Sequence, residues 1–297
     1  MTLSCEAFAK VNRSLTVLGR RADGYHELDT LFQTIGLSDV LELREADVLE
    51  LTCDDATLPA VEENLVVRAA RALAENARIP PRASIRLVKR IPAGAGLGGG
   101  SADAAATLLG LRALWGLPLD VAALGKIAAR LGSDVPFFLA GGLARGTGRG
   151  ERIAPLPDPP VEWLVLLSPP FALSTPAVYA RLAQMREASL TAVAPASNLP
   201  GSDLGPFPDR NDLEPAAESL RQEVRFLREL LLGAGAVSAR LSGSGSTVFG
   251  IFTSEEAAHG AARGLPGLPA GTAVRVVPTL PRADFLRRAT PRPVEDR

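Results

Sequence analysis

The 297-residue sequence is 46% hydrophobic and 22% charged, the profile of a soluble globular protein with core enough for one large domain or two ordinary ones. A formal net charge of −1 leaves no basic excess for holding nucleic acid, and apolar runs such as Val135–Leu139 are too short to span a bilayer. Two cysteines, Cys5 and Cys53, make no disulfide framework, and the first residues carry no basic or apolar leader, so a reduced, cytoplasmic setting is expected.

Residues 6–18 read as a strand in which Phe8, Lys10 and Asn12 alternate with Ala9, Val11 and Arg13. A turn at Ala22-Asp23-Gly24 leads to strands over 28–35 and 39–52, an amphipathic helix over 62–77 and a strand over 83–89. The run Pro92-Ala93-Gly94-Ala95-Gly96-Leu97-Gly98-Gly99-Gly100-Ser101-Ala102 passes into an alanine- and leucine-rich helix, and a second helix covers about 120–131. A turn at 131–136 precedes an apolar stretch and a glycine-rich run from Gly141 to Gly150. The proline-rich segment 155–160 marks a boundary, dividing the chain into halves 1–155 and 156–297. Beyond it come a strand at 163–168, a helix at 175–188, a loop over 190–210 and helices over 212–232. A strand–glycine turn–strand around Leu241–Thr247, a helix at 254–263, a last strand at 272–277 and a frayed tail from Pro291 complete the chain. Strands and helices are mixed rather than strictly alternating, which predicts α+β layers.

Five glycines between Gly94 and Gly100 ahead of a helix make an anion site, because glycine lets backbone N–H groups approach phosphate oxygens at the positive end of the helix dipole. The alternative is a flexible connection, for which so many glycines would be entropically costly. No lysine follows these glycines, which excludes a Walker A loop. Gly94, Gly96 and Gly99 match the dinucleotide fingerprint, but two helices follow where that fold needs a strand ending in an acid. Of 32 basic residues only Lys10, Lys89 and Lys126 are lysine, so each marks a position where a compact ammonium can be required in place of a guanidinium fork.

The segment 92–102 resembles the phosphate-binding motif of the GHMP kinases, the superfamily of galactokinase, homoserine kinase and mevalonate kinase. Leu241-Ser-Gly-Ser-Gly-Ser-Thr247 is similar to its third motif and Ala9-Lys-Val-Asn12 to its first. Gly19-Arg-Arg-Ala-Asp-Gly-Tyr-His-Glu27, Leu31-Phe-Gln33, Glu63–Ala70, Leu131–Pro136 and Arg210–Glu214 resemble the branch of that family that acts on a cytidine-diphosphate-linked sugar alcohol of the methylerythritol phosphate route to isoprenoids. The matches run from residue 7 to about 252. The resemblance implies a two-domain α+β fold, with an N-terminal ribosomal-S5-like ATP-binding domain and a C-terminal ferredoxin-like domain. It implies an ATP-dependent transfer to an alcohol, with Mg²⁺ expected beside ATP. Another GHMP kinase, of homoserine or mevalonate type, and a nucleotide-binding module without turnover stay open as alternatives; monomer and homodimer are equally compatible.

The resemblance also implies residue roles. Lys10 and Asp134 are expected to be catalytic, the carboxylate accepting or aligning the hydroxyl proton and the ammonium stabilising transferring charge; the plain readings are an edge-strand lysine and a turn aspartate. Residues 92–102, with Asn64, Leu65 and Lys89, are expected around ATP, Ser101 also being a candidate metal ligand; Asn64 equally fits a helix N-cap and Lys89 a solvated strand end. Asn12, Tyr25, His26, Thr175 and Tyr179 are expected around the acceptor. The two tyrosines would sandwich the pyrimidine and His26 would read its edge. Arg13 and Asp103 depart from the family pattern. Asp103 could touch Mg²⁺ or merely favour a helix N-terminus.

Overall fold

The computed structural model describes residues 1–55, 63–188 and 209–294; the expected loop over 190–210 lies almost wholly outside them, as does the start of the helix expected from residue 62. Two 19-residue strands, β1 (Thr2–Arg20) and β2 (His26–Arg44), form a long antiparallel hairpin through the turn at 21–25. β3 (Leu49–Cys53), α1 (Leu65–Ala77) and β4 (Ala83–Val88) follow, then α2 (Gly99–Leu114), α3 (Val121–Leu131) and the single turn α4 (Phe137–Ala140). β5 (Leu143–Gly148) and β6 (Arg152–Pro155) close the first half. Its sheet runs β3-β4-β2-β1, with β5 on the same edge of β2 as β4 but further along it, and β6 outside β5. Every pairing is antiparallel except β3 with β4. Helices α1–α3 cover one face through Val66, Leu73, Leu108, Leu111 and Ile127.

The strands expected at 28–35 and 39–52 differ from those observed: β2 runs unbroken through Gly36, and the break falls at 45–48. Gly36 is there for proximity, not for a turn. A Cβ on it would lie 2.9 Å from the Pro278 ring, where the second sheet crosses the first. The glycine-rich run 141–150, unassigned from sequence, holds β5. Gly146 leaves room for the Phe32 ring, which would meet a Cβ at 2.4 Å.

The second half has β7 (Trp163–Ser168), α5 (Thr175–Ala188), α6 (Glu214–Leu220), α7 (Glu223–Gly233), β8 (Ser238–Leu241), β9 (Val248–Phe252), α8 (Glu255–Gly264) and β10 (Ala273–Pro278). Its antiparallel sheet runs β10-β7-β9-β8, so its four strands lie in the order 4-1-3-2 of a ferredoxin-like fold. β7 is apolar on both sides because both are covered. Val165 and Leu167 meet α5–α8, whereas Leu164 and Leu166 pack with Ala9, Val11, Ile35, Leu97 and Phe249 in a core shared by the halves.

The last described residues return to the first half. α9 (Arg282–Ala289), not expected from sequence, packs Phe285 on Phe8 with ring centroids 5.8 Å apart, and Arg288 forks onto Glu6. β11 (Arg292–Pro293) pairs with Leu3 and Ser4, where a frayed tail was expected. The division at 155 thus leaves 282–293 associated with the first sheet. Arg13, whose role the sequence left open, pairs with Glu162 across the two halves. No helix among the described residues is long and apolar enough to cross a membrane.

If α9 clamps the first sheet, Phe285→Ala should lower the unfolding free energy by about 3–5 kcal/mol, as for other buried phenylalanines. Denaturant unfolding monitored by circular dichroism would measure it.

Candidate active site

A cleft of ≈ 1000 Å³ opens between the halves. Lys10, Asn12, Tyr25, His26, Leu65, Ser101, Asp134, Thr175 and Tyr179 all line it, together with Pro92–Gly96 and Gly98–Gly100 of the glycine run. Leu97 and Ala102 do not. Both side chains are buried, Leu97 in the core between the halves and Ala102 on the face of α2 that packs in the first core.

The loop is shaped by contacts that only glycine permits. Gly96 has φ 76°, and a Cβ there would lie 2.2 Å from Ser242 O, so the loop rests directly on the third glycine motif. Ser242 Oγ donates to Gly96 O at 2.8 Å and Thr247 N to Ala95 O at 3.1 Å. Asn211 donates to the carbonyls of Leu241 and Gly243, bracing that motif from below. Gly98, with φ 73°, caps the N-terminus of α2, where a Cβ would strike Phe138 at 2.7 Å. The first turn of α2 therefore presents its free N–H groups to the cleft, with the Ser101 hydroxyl beside them.

Lys10 reaches the same place from β1. Register shifts between Phe8 and Lys10 and between Asn12 and Ser14 interrupt the alternation of the strand there. The ammonium is 3% exposed as a residue and meets three acceptors: Asn12 Oδ1 at 2.5 Å, Gly96 O at 3.0 Å and Asp134 Oδ2 at 3.5 Å. Burial pulls its pKa below the usual lysine range, and the Asp134 carboxylate opposes that pull. Asn12 is held in turn by donating to Thr30 Oγ1, which donates to Ser14 O. Asp134 itself follows α3 in a turn and stays partly exposed to the cleft, so a substrate can reach it.

At the other end, the aromatic arrangement differs from the expected sandwich. Tyr179 on α5 stacks on His26, with centroids 4.5 Å apart and planes 21° apart, while Tyr25 lies beneath the Arg149 guanidinium at 4.6 Å. Tyr25, His26 and Tyr179 thus line the same part of the cleft. Burial, with Asp134 nearby, raises the Tyr179 hydroxyl pKa, and burial with Arg20 and Arg186 lowers that of His26, so both rings stay neutral near pH 7. Thr175 Oγ1 bonds Ser244 Oγ at 2.7 Å, tying the start of α5 to the third motif.

Two residues expected around ATP make contacts within the protein. Asn64 caps α1, accepting from Val66 N at 2.9 Å, and does not line the cleft. Lys89 is neither in the cleft nor solvated: its ammonium is buried between Asp39 and Asp103, at 2.8 Å from the latter. Burial alone would lower its pKa, but the two carboxylates outweigh that and raise it. Asp39 also accepts from Ile91 N at 2.8 Å and from Arg90 N, so β2, the entrance to the glycine loop and α2 share one charge cluster. Asp103, whose role was open, belongs to this cluster. Burial, reinforced by Asp39 and opposed by Lys89, raises its carboxyl pKa to about 7. Arg149 was missed altogether, since one arginine among 29 carries no signal in the sequence.

Lys89→Ala would leave two buried carboxylates facing each other and should cost about 3–5 kcal/mol of stability in denaturant unfolding. A lysine that served only as a nucleotide contact would leave the midpoint unchanged.

Comparison with known proteins bears on the same residues. Residues 64–142 match the GHMP kinases N-terminal domain and residues 192–267 the GHMP kinases C-terminal family. The chain is 46% identical over 264 residues to the 4-diphosphocytidyl-2-C-methyl-D-erythritol kinase of Parvibaculum lavamentivorans, covering 86% of this chain and 91% of that protein. It is 42% identical over 257 residues to the enzyme of the same name from Solibacter usitatus, covering 84% and 81%. A crystal structure of 4-(cytidine 5'-diphospho)-2C-methyl-D-erythritol kinase superposes with a TM-score of 0.75 at 37% identity, over 93% of this chain and 98% of that one. A homoserine kinase from Cytophaga hutchinsonii shares the fold, with a TM-score of 0.67 at 20% identity over 97% and 96%. With a glycine loop, a buried lysine paired with a cleft-facing aspartate, and stacked aromatic rings in one cleft, and with relatives of this closeness along most of its length, the chain belongs to the 4-diphosphocytidyl-2-C-methyl-D-erythritol kinase family of GHMP kinases.

Proposed function

We propose that the chain transfers the γ-phosphoryl group of ATP to the 2-hydroxyl of 4-diphosphocytidyl-2-C-methyl-D-erythritol, acting in the cytoplasm. The observation that carries this reading is the Lys10–Asp134 pair set between the glycine loop and the His26–Tyr179 stack within one cleft. An acceptor with a cytosine at one end and a hydroxyl at the other matches that arrangement.

In this reading the ATP phosphates rest on the backbone N–H groups of the loop and the first turn of α2. The acceptor hydroxyl lies against Asp134, which takes its proton as the new O–P bond forms and the bond from the γ-phosphorus to the bridging oxygen of ADP breaks. Lys10 stabilises charge on the transferring group. Its position is fixed in advance by Asn12 and Gly96 O, so little reorganisation accompanies the reaction. His26 and Tyr179 offer a stacking face and hydrogen-bonding edges to the pyrimidine, Tyr25 walls the same end, and Leu65 forms part of the nucleotide wall.

Magnesium would arrive with ATP. It prefers phosphate and water oxygens with one or two protein oxygens, and the Ser101 hydroxyl and Asp134 carboxylate in this cleft fit that donor set. Among the described residues there is no group of three or more His, Cys, Asp or Glu able to build a cation site by itself, so the phosphates would contribute most of the ligands. The ion supplies neutralisation of the phosphate charge.

The direct test is ATP consumption with 4-diphosphocytidyl-2-C-methyl-D-erythritol, alongside homoserine and mevalonate. Turnover is expected with the first alone, and turnover confined to either of the others would reject the acceptor assigned here. Asp134→Asn should lower kcat by about 10²–10⁴-fold, the usual range for a general base, while ATP binding measured by calorimetry persists. A variant with the wild-type rate would remove Asp134 from the proton transfer.

A further inference from the structure

Arg149 sits in the turn joining β5 to β6, and its surroundings fix it firmly. Gly148 and Gly150 flank it with φ of 74° and 105°, Gly150 N donates to Thr147 O at 3.1 Å, and Arg149 N donates to Glu151 Oε2 at 2.6 Å. The turn backbone runs beside the phosphoryl-transfer end of the cleft: a Cβ on Gly150 would lie 3.7 Å from Asp134 Oδ1. The side chain, half-buried in the cleft wall, brings its guanidinium over Tyr25. The turn that carries Arg149 thus lies beside Asp134, while its guanidinium lies at Tyr25.

Its neighbours are electrostatically occupied and it is not. Arg21 is bound to Asp23 and Glu27, Arg145 to Asp29 and Arg186 to Asp212. Asp23, whose carboxyl feels the charge of Arg149, is bonded by Arg21 and by Tyr25 N. Arg149 makes no ion pair among the described residues; the Tyr25 ring is its one recorded partner. A guanidinium lining a substrate cleft with its donors unspent is a receptor for a planar or tetrahedral oxyanion.

We propose that Arg149 binds the diphosphate that links cytidine to the sugar alcohol, and so selects a nucleoside diphosphate carrier over a neutral one. This rests on the acceptor reading above. With cytosine beside His26 and Tyr179 and the hydroxyl at Asp134, the diphosphate is the anionic part of the acceptor that falls between them, along Arg149. The loop at Gly94–Ser101 is engaged by the other nucleotide. The rival account is that Arg149 only steadies the Tyr25 ring through a cation–π contact.

Calorimetry separates the two accounts. Cytidine, CMP and CDP are titrated, with a non-hydrolysable ATP analogue saturating the nucleotide loop, into the wild type, Arg149→Met and Arg149→Lys. Loss of about 10- to 100-fold in CDP affinity is expected in Arg149→Met, the range for a charged hydrogen bond, with cytidine affinity retained. Arg149→Lys should recover part of it, and KM for the complete acceptor should rise in parallel. Equal losses for cytidine and CDP would assign Arg149 to Tyr25 alone, and an unchanged CDP affinity would remove it from substrate binding; either overturns the proposal. Wild-type protein that turns over no cytidine-diphosphate acceptor would reject the acceptor reading itself, and this proposal with it.

Discussion

An ammonium carried into a protein interior must find acceptors for its protons and a countercharge, or the cost of desolvation neutralises it. Lys10 finds Asn12 and Gly96 O, with Asp134 as the countercharge. Each comes from a different part of the chain, so placing one proton-rich atom fixes β1, the glycine loop and the turn after α3 against each other. The same loop is gripped from the other side by Ser242 and Thr247. The two halves therefore meet at the loop, and the cleft exists because they do.

A second buried lysine does related work out of sight of the cleft. Lys89, Asp39 and Asp103 join the strand that enters the glycine loop to the helix that leaves it. Burial raises the Asp103 pKa, and the second carboxylate, Asp39, adds to that rise against the pull of Lys89. The lysine scarcity in this chain acquires a meaning here: at both positions an ammonium is surrounded at close range by oxygens from several directions, a geometry the flat guanidinium fork cannot fill.

Much of the site was legible because its chemistry is local. A glycine run before an alanine-rich helix points to an anion site without tertiary information, and the lysine at 10 and the aspartate at 134 stand in short blocks with a family likeness. The residues whose contacts were not legible share another property, in that their surroundings come from remote segments. Lys89 could be read as solvated until Asp39, 50 residues earlier, and Asp103 were brought beside it. The gap left between strands at 36–38 closed once Pro278 was seen to pack against Gly36. The His26–Tyr179 stack joins the first hairpin to a helix of the second half, and α9 has too little apolar surface of its own to be visible before Phe8 covers Phe285.

By itself the sequence determined the local structures, since periodicity, caps and glycine conformational freedom act over a few residues, and through its motifs it determined the family. What only the tertiary structure decided is which charged side chains are closed off in the interior and which face the cleft. That depends on distances between segments far apart in the chain, and it separates Lys89, consumed by two carboxylates, from Lys10 and Arg149, which face the cleft.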